Sequence, residues 1–437
     1  MNTEKLKVQN SNNRSPIPKL QAPTKEFLGD RSAIVNAFRN RDFCALWVGQ
    51  LLSQIGDNFV IVAILFVISN LTGSPLAIGM LALVATLPQV LLGLIGGVFV
   101  DRLDRKLVMI VSDIVRGLAV LALLFVQRAD QLYILYVVSF VMVTGGLFFN
   151  PARNAVIPNI VSGEILLTAN ALTQASQIIA LILGASIAGL IIGWIGPGFA
   201  FVFDSLSFAV SAATIATMSI PPLNPKPGKT ERRVLWNQLV EGLLFIKRSF
   251  PLRHVMITTA IATLGFGAIM VLGIVYLREE LGIGAEGFGF LYAFQGLGVV
   301  VGGAIIGRFA SNAHTNRVVG GCMVVLGLAI IAFAVAPSYP LVLAAVAIVG
   351  LSIVAARAAL DTLTQRLVPD EKRGRVGSAV NMVIGASSSA SLALSGLLGN
   401  MIGVQAVFIA AGAITIVSGV AAYYTLQGAT TGRLVDS

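Results

Sequence analysis

Apolar residues run through this chain in twelve long stretches, and polar residues mark where one stretch stops and the next begins. The stretches cover 43–69, 75–100, 107–127, 131–152, 165–193, 198–219, 253–277, 286–307, 318–337, 340–361, 376–400 and 403–425. Each is about twenty residues or slightly more, the length at which a helix crosses roughly 30 Å of hydrocarbon. Turn chemistry separates them at Gly73-Ser74-Pro75, Gly196-Pro197-Gly198 and Ser338-Tyr339-Pro340. Residues 1–42 are rich in Asn, Ser, Pro and Lys without periodicity, which predicts a disordered tail ending in a short interfacial helix from Phe38 to Asp42. Residues 220–252 form a basic, proline-broken linker with an amphipathic helix expected around Asn237–Arg248. That linker divides the chain into two groups of six stretches, 43–219 and 253–425, and residues 426–437 form a second tail. The pattern predicts an all-α membrane protein.

Composition sharpens this reading. Of the 437 residues 56% are hydrophobic and only 11% charged, against roughly 25% charged in soluble domains. A net charge of +10 invites a nucleic-acid reading, but the placement of the charges argues otherwise. With the even-numbered turns assigned to the cytoplasm, all of the 30 Lys and Arg but Arg116, Arg128, Arg278 and Arg357 lie on that side or at its edge. This is the bias that orients membrane proteins. Both termini and the linker are therefore expected in the cytoplasm. No signal peptide is expected, since about forty polar residues precede the first apolar run. Cys44 and Cys322 fall near cytoplasmic ends of apolar stretches, so neither a structural disulfide nor a metal site is expected.

Polar side chains inside the stretches are the candidates for chemistry. In the first, Gln50, Ser53, Gln54 and Asp57 are spaced i, i+3, i+4, i+7 and share one arc of a helix, with Asn58 beside them. A carboxylate at the depth of Asp57 costs on the order of 3 kcal/mol or more unless neutralised, paired or wetted. Two roles are open to it: a protonatable group facing a cavity, or a hydrogen-bonding contact with a neighbouring helix. The fifth stretch repeats the spacing with Asn170, Thr173, Gln174 and Gln177, and Asn381 in the eleventh corresponds to Gln174. Gln295 lies mid-way along the eighth stretch, and Asp204 a turn or two inside the sixth. Asp113 and Arg116, three residues apart in the third, read as a structural pair. Arg153 and Arg357 end the fourth and tenth stretches, where their side chains are expected to snorkel.

The turn after the second stretch is the most distinctive. Gly96, Gly97, Asp101, Arg102, Asp104, Arg105 and Lys106 place paired glycines before five charges in six positions. Gly96-Gly97 and Arg102 recur 206 residues later as Gly302-Gly303 and Arg308. Ala152-Arg153 recurs as Ala356-Arg357 and Val161-Ser162-Gly163-Glu164 as Val368-Pro369-Asp370-Glu371. Such nearly constant offsets indicate a duplicated six-stretch unit. In the second copy Asp101 is replaced by Gly307.

The charged turn resembles the loop 2–3 signature of the major facilitator superfamily, Gly-x-x-x-Asp-Arg-x-Gly-Arg-Lys, with Asp104 in the second Gly position. Phe43–Asp57, Phe149–Pro158, Ala169–Leu172, Glu241–Pro251 and Phe288–Gly303 most resemble its drug:proton antiporter-3 branch, which includes macrolide-efflux and enterobactin-exporter-like proteins. Gly184, Ala185, Ala188, Gly189 and Gly193 partly resemble the superfamily's antiporter motif, without its proline. The resemblance implies twelve transmembrane helices in two pseudo-symmetric six-helix bundles, and proton-coupled export of amphipathic drug, macrolide or siderophore-like molecules by alternating access. Asp57 and Asp204 then become candidates for proton coupling, and Gln50, Ser53, Gln54, Asn58, Asn170, Gln174, Gln177, Gln295 and Asn381 for the substrate cavity. Asp101 would cap the helix starting near Gly374–Ser378, while Arg102, Arg105 and Lys106 would pair with carboxylates to latch the cytoplasmic side. Gly56-Asp57-Asn58 and the Ala169–Leu172 block also resemble lysophospholipid flippases of the superfamily, and a non-transporting receptor or scaffold of this fold is a further alternative.

Gly228-Lys229-Thr230 lacks the earlier glycine and the strand of a phosphate-binding loop, so an ion gradient is the expected energy source. No cofactor, metal or enzymatic chemistry is expected, because no metal-spaced His or Cys accompanies the buried acids. The expected partners are a small amphipathic substrate, protons and the lipid bilayer, with the chain acting as a monomer in the cytoplasmic (inner) membrane of a bacterium.

Overall fold

The computed structural model describes residues 31–100, 103–220, 232–309 and 315–426. They fold almost wholly into helices: α1 (Arg31–Arg39), α2 (Arg41–Thr72), α3 (Pro75–Val100), α4 (Arg105–Leu121), α5 (Leu132–Ile160), α6 (Gly163–Ile179), α7 (Ala185–Ile195), α8 (Pro197–Thr217), α9 (Arg232–Arg248), α10 (Phe250–Glu279), α11 (Ala285–Phe309), α12 (Thr315–Val335), α13 (Tyr339–Leu367), α14 (Arg373–Ile402) and α15 (Val404–Thr425). A π-helical turn over Ala180–Gly184 joins α6 to α7 as one span. Eleven spans are long and apolar enough to cross a membrane among the described residues, and the 26-residue α3 completes twelve. The expected twelve helices are present, interleaved with the two short helices α1 and α9.

Local chemistry sets the ends. Asn40 caps α2, accepting from the Phe43 N–H at 3.0 Å while its amide donates to the Ile160 carbonyl at 2.6 Å. Asp104 caps α4 through the N–H groups of Lys106 and Leu107. Gly196 and Gly403 adopt φ of 96° and 86° at equivalent turns of the two halves, a left-handed backbone that other residues resist. The α1 helix starts at Arg31, so the structured chain begins well before the sequence-based boundary at 43; Phe38 anchors it edge-on to Trp47 at 4.9 Å. The linker helix begins at Arg232, earlier than expected. It docks on the start of α14 through a Glu241–Arg375 ion pair, with Lys372 over the Phe245 ring at 4.6 Å.

The duplication is visible in the packing. In the first bundle α2 packs on α8, α3 on α5, and α4 on both α5 and α8. In the second, α10 packs on α15, α11 on α13, and α12 on both α13 and α15. The bundles meet where α3 packs on α14 and α7 on α11, two contacts that a pseudo-twofold axis exchanges. Large apolar side chains such as Trp194, Leu206, Leu328 and Val417 point outward and are exposed, as a lipid-facing surface requires.

The two ends of this inter-bundle seam differ. On the distal face, opposite α1 and α9, Gly79 and Gly396 approach so closely that a Cβ on either would strike the other's backbone, and Gly289 sits equally close to Ser186 and Gly189. Arg278 donates to the Ser69 hydroxyl across the same end at 3.3 Å. On the basic face, Asn170 and Gln174 of α6 and Asn381 and Met382 of α14 are exposed. The seam is shut on the distal face, while these side chains of the basic face are exposed.

In the charged turn, Arg105 and Lys106 make no ion pair with a carboxylate among the described residues and reach carbonyls instead. Arg105 donates to the Ala155 carbonyl of α5 at 3.1 Å, and Lys106 to the carbonyls of Ala216 and Met218 at the end of α8, at 2.7 and 2.8 Å. Carbonyls left free at a helix C-terminus carry negative potential and attract a cation without needing an acid. Asp101 and Arg102 lie outside the described residues; Gly96 and Gly97 belong to α3.

Candidate functional site

The two bundle cores are built differently. That of the second is aromatic: Tyr276, Phe333 and Phe408 pack tilted or edge-on with ring centroids 5.1–5.9 Å apart, and the Tyr276 hydroxyl donates to the Ala334 carbonyl at 3.0 Å. That of the first holds acids and arginines. Asp204, on α8, is wholly buried and leans on the glycine seam of α2, leaving no room for a Cβ at Gly56. Its Oδ1 accepts from the Ser207 hydroxyl at 3.3 Å, whereas Oδ2 has no hydrogen-bond partner. Asp57, next to Gly56, is half-buried and has no ion-pair partner among the described residues.

One cation serves this group. Arg116 of α4 bonds Asp113 at 2.5 Å, both buried, and lies over the rings of Phe149 and Phe208 at 5.0 and 4.3 Å. Its charge also acts on Asp57 and Asp204, and these acids feel one another. Of these three carboxylates only Asp113 has a direct cationic partner among the described residues. An unpaired negative charge in such surroundings is costly.

A second polar chain runs toward the basic face. Gln50 donates to the Ser211 hydroxyl and accepts from the Arg153 guanidinium, both at 3.3 Å. Arg153 does not snorkel as expected: it is 6% exposed, turned inward beneath α2. The proposed arc of α2 is accordingly divided. Ser53, between Gly49 and Gly56, faces α8 with Gln50 bonded inside, while the Gln54 amide is buried beside Trp47 and Arg153 and Asp57 is half-buried. Asn58 packs against Gly184 of the π turn, its amide donating to the Gln54 carbonyl at 2.7 Å. Asn170, Gln174 and Asn381 are exposed and Gln177 is half-buried. Gln295 is buried on α11, on the α13 side, its carbonyl against Gly350. Asp113, Arg116, Ser207 and Ser211 were not among the expected site residues, although a buried i, i+3 acid–base pair in an apolar stretch was the signal for two of them. Among the described residues no cluster of His, Cys, Asp and Glu fits a metal ion.

The family model described as "Transmembrane secretion effector" matches residues 32–431. The chain belongs to that family, within the major facilitator superfamily. It is 25% identical to macrolide efflux protein A of Streptococcus pyogenes over 86% of this chain and 93% of that protein. It is 27% identical to the multidrug efflux pump Tap of Mycolicibacterium fortuitum over 87% of this chain and 94% of that one. Its fold superposes on a bacterial homologue of the human lysosomal transporter Spinster, solved inward-facing and unoccupied, with a TM-score of 0.72 at 13% identity, covering 92% of this chain and 99% of that one. It is a multi-pass membrane transporter, not an enzyme.

Proposed function

We propose that this transporter exports amphipathic small molecules from the cytoplasm of a bacterium in exchange for protons. The basic face, which holds the linker helix and nearly all Lys and Arg, is then cytoplasmic, and the structure represents the state open to the cytoplasm. The observation that carries the reading is the half-buried Asp57 at the edge of a buried acid cluster, on the side from which substrate enters. Relatives named for macrolide and multidrug efflux support the direction and the substrate class. In the state open to the cytoplasm, Asp57 is deprotonated and holds a cationic or polar part of the substrate. After the cytoplasmic side shuts and the distal side opens, a proton from outside takes its place and the substrate leaves. The two ligands compete for one carboxylate, which makes the exchange obligatory. Each charge moved is worth about 2.3 kcal/mol per 100 mV of membrane potential.

Proteoliposomes with a trapped pH dye test this against a panel of lipophilic drugs, siderophores and lysolipids. Proton movement triggered by a drug or siderophore supports export; movement triggered by lysolipid alone would assign a flippase instead.

A further inference from the structure

The outer flank of the first bundle is grooved. Between α4 and α5 runs a cavity of ≈510 Å³ whose walls are two stripes of side chains, Leu107, Val111 and Val115 on α4 and Phe140, Thr144 and Phe148 on α5. A spacing of four residues keeps each stripe on one helix face, so the groove follows the helix axes. The three α4 residues are exposed, which leaves the groove open on its outer side. It ends at Asp104, the cap of α4 on the basic face. From there to Val115 the helix rises about 16 Å, half of the roughly 30 Å of hydrocarbon in a bilayer. The groove therefore spans one leaflet. Little in it asks for a polar ligand: the Thr144 hydroxyl donates to the Phe140 carbonyl at 2.7 Å, and Asp104 accepts from the N–H groups of Lys106 and Leu107. The floor is thin. Gly145 is buried there, and a Cβ on it would strike the side-chain stem of Arg116, so the Asp113–Arg116 pair lies directly behind the groove.

We infer that this groove is a binding site for one acyl chain of a phospholipid in the leaflet at the basic face. The lining selects the chemistry, since apolar walls with satisfied hydroxyls recognise hydrocarbon and little else. Length selects the source: a chain anchored by its headgroup at the Asp104 end reaches the bilayer midplane where the groove stops. Position argues against the transported molecule as the occupant. The seam between the bundles is built by α3 with α14 and α7 with α11, whereas α4 packs on α5 and α8, and its inner face carries the buried ion pair. Mobile lipid covers a flat helix flank, but a groove between two helices surrounds a chain on three sides, and left empty its walls would forfeit those dispersion contacts. The bound chain completes the outer wall of the first bundle and keeps water from the pair behind Gly145. The inference does not depend on the direction of transport or on the coupling ion.

The test purifies the full chain in a mild detergent and reads its retained lipids by native mass spectrometry as the detergent is raised. The expected result is one phospholipid per chain that persists after the others are stripped. V111W, whose indole fills the groove, should lose it, while L206W, on the exposed face of α8, should keep it. Melting curves establish that both variants are folded; if V111W is not, T144F fills the groove from the α5 side. A macrolide added to the native chain should leave the lipid in place. No persistent phospholipid, or equal retention by the groove-filling variant, would overturn the site. Displacement by the macrolide would assign the groove to the transported molecule instead, and a dimer that V111W dissolves would assign it to a second copy of the chain. D57N should retain the lipid as the native chain does, so a failure of proton coupling at Asp57 and a failure of this site give different results.

Discussion

The buried pair of Asp113 and Arg116 is the residue on which the first bundle's core turns. Arg116 neutralises Asp113, is desolvated between two rings, and extends its field to Asp57 and Asp204. Breaking such a pair from one side leaves an uncompensated charge, which costs about 3–5 kcal/mol, whereas removing both sides costs much less. R116M is therefore expected to lower the thermal stability of the purified protein sharply, and D113N with R116M to recover most of it. Equal melting temperatures for the single and double variants would contradict the pairing. Asp57 and the Asp113–Arg116 spacing were legible in the sequence, because an acid within an apolar run is conspicuous on its own. The inward turn of Arg153 was not, since a long basic side chain near a helix end has two directions open to it. Only the packing of α2 over α5 selects one.

At the scale of elements, the distal closure depends on two glycine contacts, Gly79 with Gly396 and Gly289 with Gly189. Backbones that close leave no space for a side chain, and packed interiors do not absorb one. G79V should hold α3 and α14 apart on the distal face. Spin labels placed on α3 and α14 near that face should show longer distances than in the native chain; unchanged distributions would mean that the contact is not what closes the seam. Helix ends were readable from Gly-Pro and Ser-Pro turns, and the equivalent φ at Gly196 and Gly403 bears out the repeat. The π turn at Ala180–Gly184 was not readable. It arises where Gly184 meets Asn58 and Ile55 of α2, a tertiary contact with no local signature. The same holds for Arg105 and Lys106, whose partners are carbonyls at distant helix ends and leave no mark on sequence.

For the whole molecule, composition and the 206-residue repeat carried the fold, because a chain this apolar has few ways to satisfy its backbone outside helices. The orientation in the membrane rests on the Lys and Arg bias alone and is tested directly. In a chain with Cys44 and Cys322 replaced, E279C on the distal face should react with an impermeant maleimide in intact cells, while R248C should react only after permeabilisation. The reverse pattern would invert the direction of transport. The central claim, that Asp57 carries the coupling proton, is tested most directly by substrate-driven proton movement in proteoliposomes. Native protein should acidify or alkalinise the lumen when an exported substrate is added against a gradient. D57N, which fixes the side chain in its neutral form, should fold and insert yet move no protons. Proton movement by D57N at the native rate would contradict the account and transfer the coupling role to Asp204.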